Sequence, residues 1–196
     1  MDINLDIFKI KSNNVAPQKG RILIAEPFLP GNYFNRAIIL LVAHSEKGAV
    51  GFILNKQVDF PIHDIISDFP TFDAPVYIGG PVSTDSIYFI HKLGKKIPGS
   101  IHVVGNVFWG GDFEILKKKI SSGTIKSSEV RFFLGYSGWD SGQLENEIKE
   151  NSWLVNDIDD KTIMENLTHD SWVDFVKKVG GQYSIWENFP ENPSLN

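Results

Sequence analysis

The sequence predicts a protein of the α+β class. Apolar runs of strand length dominate the first two-thirds of the 196-residue chain, whereas helical patterns dominate the last third. Strands and helices do not alternate regularly, as they would in a protein built from βαβ units. The length suits one domain, or at most two small ones, and a single domain of this size buries about 70% of the surface of its unfolded chain.

Three apolar runs predict the first strands of the sheet. Residues 21–25, 37–43 and 50–54 are rich in β-branched side chains and lack strict alternation, which is typical of strands covered on both faces. The short polar segment 44–48 ends in glycine and predicts a hairpin between the second and third strands. Further strands are predicted at residues 76–78, 86–90, 101–104 and 153–155.

Three helices are predicted from apolar positions that recur every three or four residues. Pro61 precedes a two-turn helix whose apolar face covers residues 62–69. Asp112 is expected to cap a second helix, which Gly123 ends. A third helix is expected to span residues 170–179, where two glycines follow.

Residues 131–148 are predicted to form a strand–turn–helix corner. An apolar run enters a turn broken by Gly135 and Gly138, and a short amphipathic helix follows directly. Asp140 and Gln143 fit a capping box, in which Asp140 accepts from the Gln143 N–H and Gln143 reaches back to Asp140. Capping is therefore preferred to anion binding as the use of this helix start.

The aromatic side chains of this corner favour a structural interpretation over a catalytic one. A nucleophile elbow needs glycine two residues after its serine, but Trp139 holds that position relative to Ser137. Ser137 is therefore disfavoured as a nucleophile. Trp139 is expected in the core, and Tyr136 is left open between the core and the wall of a binding site.

Composition excludes several classes of function. The chain has no cysteine, which excludes disulfides, thiolate zinc sites and cysteine nucleophiles. A net charge of −5 argues against a broad phosphate-binding surface. No apolar run approaches the about 20 residues of a membrane span, and the N-terminus lacks the basic region of a secretory signal. The protein is therefore expected to be cytoplasmic and not to engage a membrane.

The remaining polar patterns predict neither a metal site nor a cofactor. His44 and Glu46 would point to one side of an extended backbone, but no second pair completes a set of three ligands. The glycine pairs 79–80 and 110–111 match neither the dinucleotide-binding motif nor the P-loop motif. The lysines of residues 92–96 and 117–119 are interpreted as solvated surface.

Three segments taken together resemble the bacterial YqgE/AlgH family. They are residues 19–56, 77–83 and 132–148, followed by Trp153, and the resemblance covers about residues 20–186. The extension at the N-terminus departs from the family pattern. The positions that fall on the pattern are Arg36, His44, Gly48, Gly51, Asn55, Gly79, Gly80, Pro81, Gly135, Tyr136, Gly138, Trp139, Gln143, Leu144 and Glu145.

The resemblance implies a strongly bent, mostly antiparallel sheet, partly closed as a barrel and surrounded by helices. We expect a single domain over residues 20–187, an N-terminal arm or extension over residues 1–19, and a C-terminal tail over residues 188–196. The resemblance implies no established activity and transfers no catalytic or ligand-binding residue. The AlgH name carries a suggestion of transcriptional regulation of exopolysaccharide synthesis.

The first of three functional hypotheses is a non-enzymatic binding or regulatory protein that acts on a protein or small-molecule partner. It is motivated by many glycines and aromatic residues beside no complete catalytic set. The binding surface is expected where the turn at residues 79–81 and the corner at residues 136–143 converge. The candidate binding residues are Arg36, His44, Asn55, Gly79, Gly80, Tyr136 and Gln143.

The other two hypotheses are an enzyme and a DNA-binding protein. The enzyme would be a hydrolase or a nucleotide-dependent activity, and at least two of its candidate side chains would have to line one pocket. Direct DNA binding is suggested by the family name alone, and the acidic charge opposes it. Action through a protein partner is therefore preferred. The candidate catalytic residues are Arg36, His44, Glu46 and Ser137.

Overall fold

The computed structural model describes residues 10–190 and shows a nine-stranded sheet packed with helices. The strands are β1 Ile22–Ala25, β2 Ile38–Ser45, β3 Gly48–Ile53, β4 Val76–Ile78, β5 Val82–His91, β6 Ile101–Val104, β7 Val107–Trp109, β8 Val130–Asp140 and β9 Trp153–Asn156. The α-helices are α1 Ile62–Ile65, α2 Phe113–Ser121, α3 Gln143–Lys149, α4 Asp160–Ile163 and α5 Ser171–Val179. Within residues 10–190, 3-10 helices span Gly94–Lys96, Ser127–Glu129 and Gly181–Asn188.

The sheet is antiparallel except for one pair of strands. Its order is β6-β7-β5-β8-β3-β2-β1-β9, and β4 pairs in parallel with β8 beside this path. The sheet curls without closing, so β6 and β9 remain its edges, while Gly20 before β1 lies against Val104 at the end of β6. The predicted α+β class with a bent, mostly antiparallel sheet is confirmed, and the sheet is partly curled.

Strand β8 is the longest element and joins the two halves of the sheet. Its first half pairs with β4 and β5, and its second half pairs with β3. The change of partner coincides with Gly135, which has φ +67 and lies so close to the carbonyl oxygens of Gly80 and Val82 that a Cβ would be 2.7 Å from each. The predicted turn at residues 135–139 is therefore wrong, because the glycine bends a continuous strand without ending it.

Both faces of the sheet are covered, which is why its central strands are apolar without alternation. All four residues of β1 are fully buried, as the sequence predicts. Consecutive side chains of β8 enter different core clusters, since Phe133 packs in one and Phe132 in another. Helix α5 and the last 3-10 helix cover one face, where Trp172 and Trp186 stack with ring centroids 6.3 Å apart.

Several boundaries differ from the prediction. Helix α1 has one turn and not two, because Ile66 already has extended backbone angles. The three-residue strand β7, the four-residue helix α4 and the 3-10 helix Gly181–Asn188 are not predicted, because the first two are too short for a recognisable apolar pattern and the third begins at the second of two adjacent glycines. The hairpin between β2 and β3 and the Asp112 cap of α2 are confirmed.

The described part of the N-terminal extension lies along the edge strand β9. The Asn13 side chain donates to the Val155 carbonyl at 2.7 Å and accepts from the Val155 N–H at 3.2 Å. Residues 1–9 and 191–196 lie outside the described range, so the predicted arm and tail are described only in part. Within residues 10–190 no helix is long and apolar enough to cross a membrane.

Candidate functional site

The corner that carries the family signature is built around the carboxylate of Glu147. One of its oxygens accepts from the indole N–H groups of Trp139 and Trp153, each at 2.8 Å, and the other accepts from the Gln143 amide at 2.9 Å. Trp139 is 6% exposed, so its predicted place in the core is confirmed. The carboxylate thus fixes α3 beneath the end of β8.

The predicted capping box at the start of α3 forms only in part. The Gln143 side chain accepts from the Asp140 N–H at 2.9 Å, as predicted. The reverse bond is absent, because Gly142 is the N-cap residue of α3 and Asp140 is still the last residue of β8. Asp140 as the capping side chain is therefore wrong.

The turn at Gly79 and Gly80 packs directly on β8. A Cβ at Gly79 would lie 2.2 Å from the Gly135 carbonyl oxygen, and one at Gly80 would lie 2.3 Å from the Tyr136 carbonyl carbon. The fully buried Ser137 hydroxyl donates to the Gly79 carbonyl at 3.1 Å. The turn and the corner therefore meet, but they meet backbone against backbone and leave no room for a ligand between them.

Arg36 and Asn55 stabilise the loop that leads into β2. Asn55 is buried and bridges two backbone groups, since it accepts from the Ile38 N–H and donates to the Arg36 carbonyl, each at 2.9 Å. Arg36 has φ +49, and its guanidinium lies 4.9 Å from the Trp172 ring centroid and donates to the Phe189 carbonyl. Both side chains therefore have structural contacts that place them inside the protein.

His44 contacts α3 through the side chain of Glu145. Its Nε2 lies 2.8 Å from Glu145 Oε1, so His44 reaches Glu145 and not Glu46. The pKa of Glu145 is lowered: burial acts to raise it, but hydrogen bonds from its own N–H and from His44, with the nearby charge of Lys149, outweigh that effect. Both side chains are partly exposed, so the pair contributes little to stability.

The seven candidate binding residues therefore lie in three separate places. Arg36 lies in the loop before β2 and is contacted by Asn55, which follows β3, whereas Gln143 begins α3 and His44 at the end of β2 contacts that helix. The glycine pair 79–80 contacts Tyr136, which is half-buried and packs edge-on against Tyr88 at 5.5 Å. A binding role for these residues stays a prediction.

An open groove lined by aromatic side chains lies at the other end of the sheet. It has a volume of about 360 Å³ and is formed by β5, β6, β7 and the start of α2. Ile101 on the edge strand β6 is 49% exposed at this groove. We call this feature the aromatic groove. Its apolar lining consists of Ile87, Tyr88, Phe89, Ile101, Trp109 and Phe113.

Sequence reasoning missed the aromatic groove because its residues come from four elements that are distant in the chain. Strand β7, which contributes Trp109, has too few residues for a recognisable pattern. The pair Gly110–Gly111 lines the groove and so has a structural part in it. Within residues 10–190 no cluster of three His, Asp or Glu side chains is arranged to hold a metal ion.

Comparison with known proteins agrees with this architecture. The chain is 44% identical over 197 residues to a UPF0301 protein of Bacteroides thetaiotaomicron, covering 100% of both chains. It is 41% identical over 177 residues to a UPF0301 protein of Chlorobaculum tepidum, covering 90% of this chain and 95% of the relative.

Two solved structures share the fold. The solution structure of the AlgH protein from Pseudomonas aeruginosa matches with a TM-score of 0.70 and 24% identity over 91% of this chain and 98% of that one. A crystal structure of a Corynebacterium diphtheriae protein matches with a TM-score of 0.70 and 22% identity over 96% of this chain and 100% of that one. A family model described as AlgH-like matches residues 22–184, and the chain belongs to this family.

Proposed function

We propose that the protein is a non-enzymatic binding protein with a regulatory role in the bacterial cytoplasm, and that it acts through a protein partner. The observation that carries the proposal is the aromatic groove, where Ile101 is 49% exposed above a wall of aromatic rings. The partner is a segment that inserts an aromatic or aliphatic side chain into the groove and carries acidic residues beside it.

The apolar lining supports an apolar anchor. Burial of apolar surface contributes about 25 cal/mol per Å², and side chains that fill an aromatic-lined pocket dominate the energy of protein interfaces. Phe113 and Phe89 lie with ring centroids 6.0 Å apart, and both line the groove, so its wall is preformed. A rigid wall reduces the entropy lost on binding.

Two exposed lysines that precede the groove residue Gly99 in sequence support a partner with acidic residues. Lys95 and Lys96 are exposed on the 3-10 helix Gly94–Lys96, which is followed by the groove residue Gly99. The chain as a whole has a net charge of −5, so a local basic rim would select an acidic peptide while the overall charge repels DNA. Any influence on transcription is therefore proposed to be indirect.

The placement of the candidate catalytic residues supports binding over catalysis. Ser137 is fully buried and its hydroxyl donates to the Gly79 carbonyl, whereas His44 contacts Glu145 and lies on β2, which β3 separates from β8. A nucleophile needs a base within hydrogen-bond reach and access to substrate. Ser137 lacks solvent access, so it does not meet this requirement.

The proposal is tested with synthetic peptides that vary the anchor and the number of acidic residues. We expect binding by peptides with an aromatic anchor between acidic residues, and about tenfold or greater weakening by Ile101→Asp, the change typical of a binding hot spot. Ile185→Asp is the matched control, because Ile185 is 50% exposed outside the groove. It should leave the affinity unchanged.

The charge part is tested with Lys95→Glu/Lys96→Glu against Lys118→Glu/Lys126→Glu, which changes exposed lysines elsewhere. The first pair should weaken binding and reduce its salt dependence, and the second should not. Equal loss in Ile101→Asp and Ile185→Asp would overturn the proposal. Self-association of the free protein that Ile101→Asp abolishes would also overturn it, since the groove would then hold a second copy.

A further inference from the structure

Arg131 is a buried cation that has no acidic partner among residues 10–190. It is 1% exposed on β8, and its guanidinium donates to the carbonyls of Leu54, at 2.8 Å, and Ile163. The guanidinium carbon lies 4.0 Å from the centroid of the Tyr77 ring. Burial lowers the pKa of Arg131, while Tyr77 acts in the opposite direction. The guanidinium charge is therefore stabilised by two backbone carbonyls and by the face of the Tyr77 ring.

Two polar atoms of this cluster have no hydrogen-bonded partner in the described part of the chain. They are Arg131 Nε and the Tyr77 hydroxyl, both fully buried. A buried polar group without a partner costs about 1–3 kcal/mol, and most buried polar groups are paired. The cluster thus has donors and positive charge that the described protein does not use.

A polar pocket of about 240 Å³ opens beside this cluster. Arg131 forms part of its wall, together with three side chains that have no hydrogen-bonded partner within residues 10–190: Ser127, Ser128 and Asn166. Their two hydroxyls and one amide can all donate hydrogen bonds. Asp73 lies at the same pocket and is exposed to solvent.

We propose that this pocket binds a phosphate group, either as free phosphate or as a small phosphomonoester. Ser127, Ser128 and Asn166 would donate to the phosphate oxygens, and Arg131 would supply the compensating positive charge from the pocket wall. A charge in a low-dielectric wall acts more strongly on a bound anion than a solvated lysine does. The proposal is independent of the aromatic groove, with which the pocket shares no lining residue.

The Asp73 carboxylate at the pocket narrows the class of phosphate compound that we expect to bind. Asp73 repels a second anionic group and accepts a hydrogen bond from a hydroxyl or an ammonium group. A phosphomonoester with a neighbouring hydroxyl therefore matches the pocket better than a diphosphate. We expect glycerol 3-phosphate to bind more tightly than inorganic phosphate, whereas pyrophosphate should bind more weakly than either.

The test uses the full chain and titrates inorganic phosphate, glycerol 3-phosphate and pyrophosphate by calorimetry at constant ionic strength. The amide resonances of Ser127, Ser128, Arg131 and Asn166 should shift on binding. Ser128→Ala/Asn166→Ala changes exposed side chains, so the core remains intact, and it should weaken binding about tenfold or more. The matched control is Ser86→Ala/Asn106→Ala, which removes the same two side-chain types outside the pocket.

Arg131→Gln should weaken binding more than Arg131→Lys, since lysine retains the charge. Preferential binding of glycerol 3-phosphate identifies a phosphomonoester, and equal binding identifies free phosphate. The proposal is overturned if neither inorganic phosphate nor glycerol 3-phosphate binds. It is also overturned if the two double variants bind equally well, or if the shifted amides lie outside the pocket.

Discussion

The ionisable side chains beside the two ends of β8 differ in how completely their hydrogen-bonding groups are paired. Near its C-terminal end, the carboxylate of Glu147 has three donors, and both buried indoles that face it are paired. Near its N-terminal end, Arg131 donates to the backbone carbonyls of Leu54 and Ile163, and its Nε has no partner within residues 10–190. We call the C-terminal end of β8, near Glu147, the closed end, and the N-terminal end, near Arg131, the open end. Most residues of the family pattern lie towards the closed end, and almost none lie at the open end.

This difference teaches that the family pattern marks the fold more than a site. Gly79, Gly80 and Gly135 allow backbones to meet at distances that no side chain permits. Trp139 and Gln143 complete the hydrogen bonds of Glu147. The two surfaces that we propose to bind ligands, the aromatic groove and the pocket beside Arg131, are lined by residues outside this corner.

The largest expected effect comes from breaking the closed end at Gly80. Gly80→Ala should destabilise the protein by about 3 kcal/mol or more, because the new Cβ would meet the Tyr136 and Ser137 backbone at 2.3–2.4 Å and φ is +155. Chemical denaturation measures the change. Gly123→Ala is the control, since Gly123 also has positive φ but no atom within 4 Å, and about 1 kcal/mol is expected.

The second effect comes from removing the charge of Glu147. In Glu147→Gln one of the two acceptor oxygens becomes an NH2 group, so either the Gln143 amide or the two indoles of Trp139 and Trp153 lose their acceptor, at a cost of about 2 kcal/mol. Unfolding followed by tryptophan fluorescence reports the loss. Glu150→Gln, on the exposed residue after α3, should change stability by less than about 0.5 kcal/mol. Equal losses in both variants would contradict the account of the closed end.

A smaller effect is expected when the charge at the open end is removed. Arg131→Met should cost about 1 kcal/mol in phosphate-free buffer, because two carbonyls lose a donor while an uncompensated buried charge is also removed. Denaturation of this variant beside Glu147→Gln compares the two ends directly. A greater loss in Arg131→Met than in Glu147→Gln would show that the open end is the better stabilised one.

The smallest effect at neutral pH involves His91, which is fully buried between the rings of Phe89 and Phe108. Burial lowers its pKa, and the hydrogen bond to the Gly110 carbonyl opposes this only in part. As the pH falls, His91 therefore becomes protonated in the unfolded chain at a higher pH than in the folded protein. Stability should be complete above about pH 6.5 and fall as the pH drops from there towards the folded-state pKa.

Thermal unfolding between neutral and acidic pH measures this loss. His91 is neutral in the fold, because its ring accepts from the Leu93 N–H at 3.1 Å and lies 3.1 Å from the Gly110 carbonyl. His91→Asn should lower stability at pH 7 and flatten the pH profile below it. An unchanged profile in that variant would assign the acid sensitivity to another group.

The sequence predicts the strands of the sheet well, because their burial on both faces produces continuous apolar runs. It fails at β8, since a glycine with positive φ is as typical of a turn as of a bent strand, and only the contacts of Gly135 with Gly80 and Val82 decide between them. The curl of the sheet follows from the family resemblance alone, because it depends on pairings between distant strands.

The sites are less accessible to sequence reasoning than the strands. Arg131 lies in an apolar run, and nothing near it in sequence indicates that Tyr77, Leu54 and Ile163 will enclose its guanidinium. Ile101 belongs to a predicted strand, but its exposure depends on where β7 and α2 lie. Both features are products of tertiary contacts.

The central claim is that ligands bind at the aromatic groove and at the pocket beside Arg131, and not at the corner around Trp139 and Glu147. Amide and indole resonances recorded during titration with glycerol 3-phosphate, and then with an acidic aromatic peptide, test it most directly. We predict shifts around Ser128 and Asn166 with the first ligand and around Ile101 and Trp109 with the second, while the indole of Trp139 stays unchanged. Shifts confined to Trp139 and its neighbours would contradict the claim.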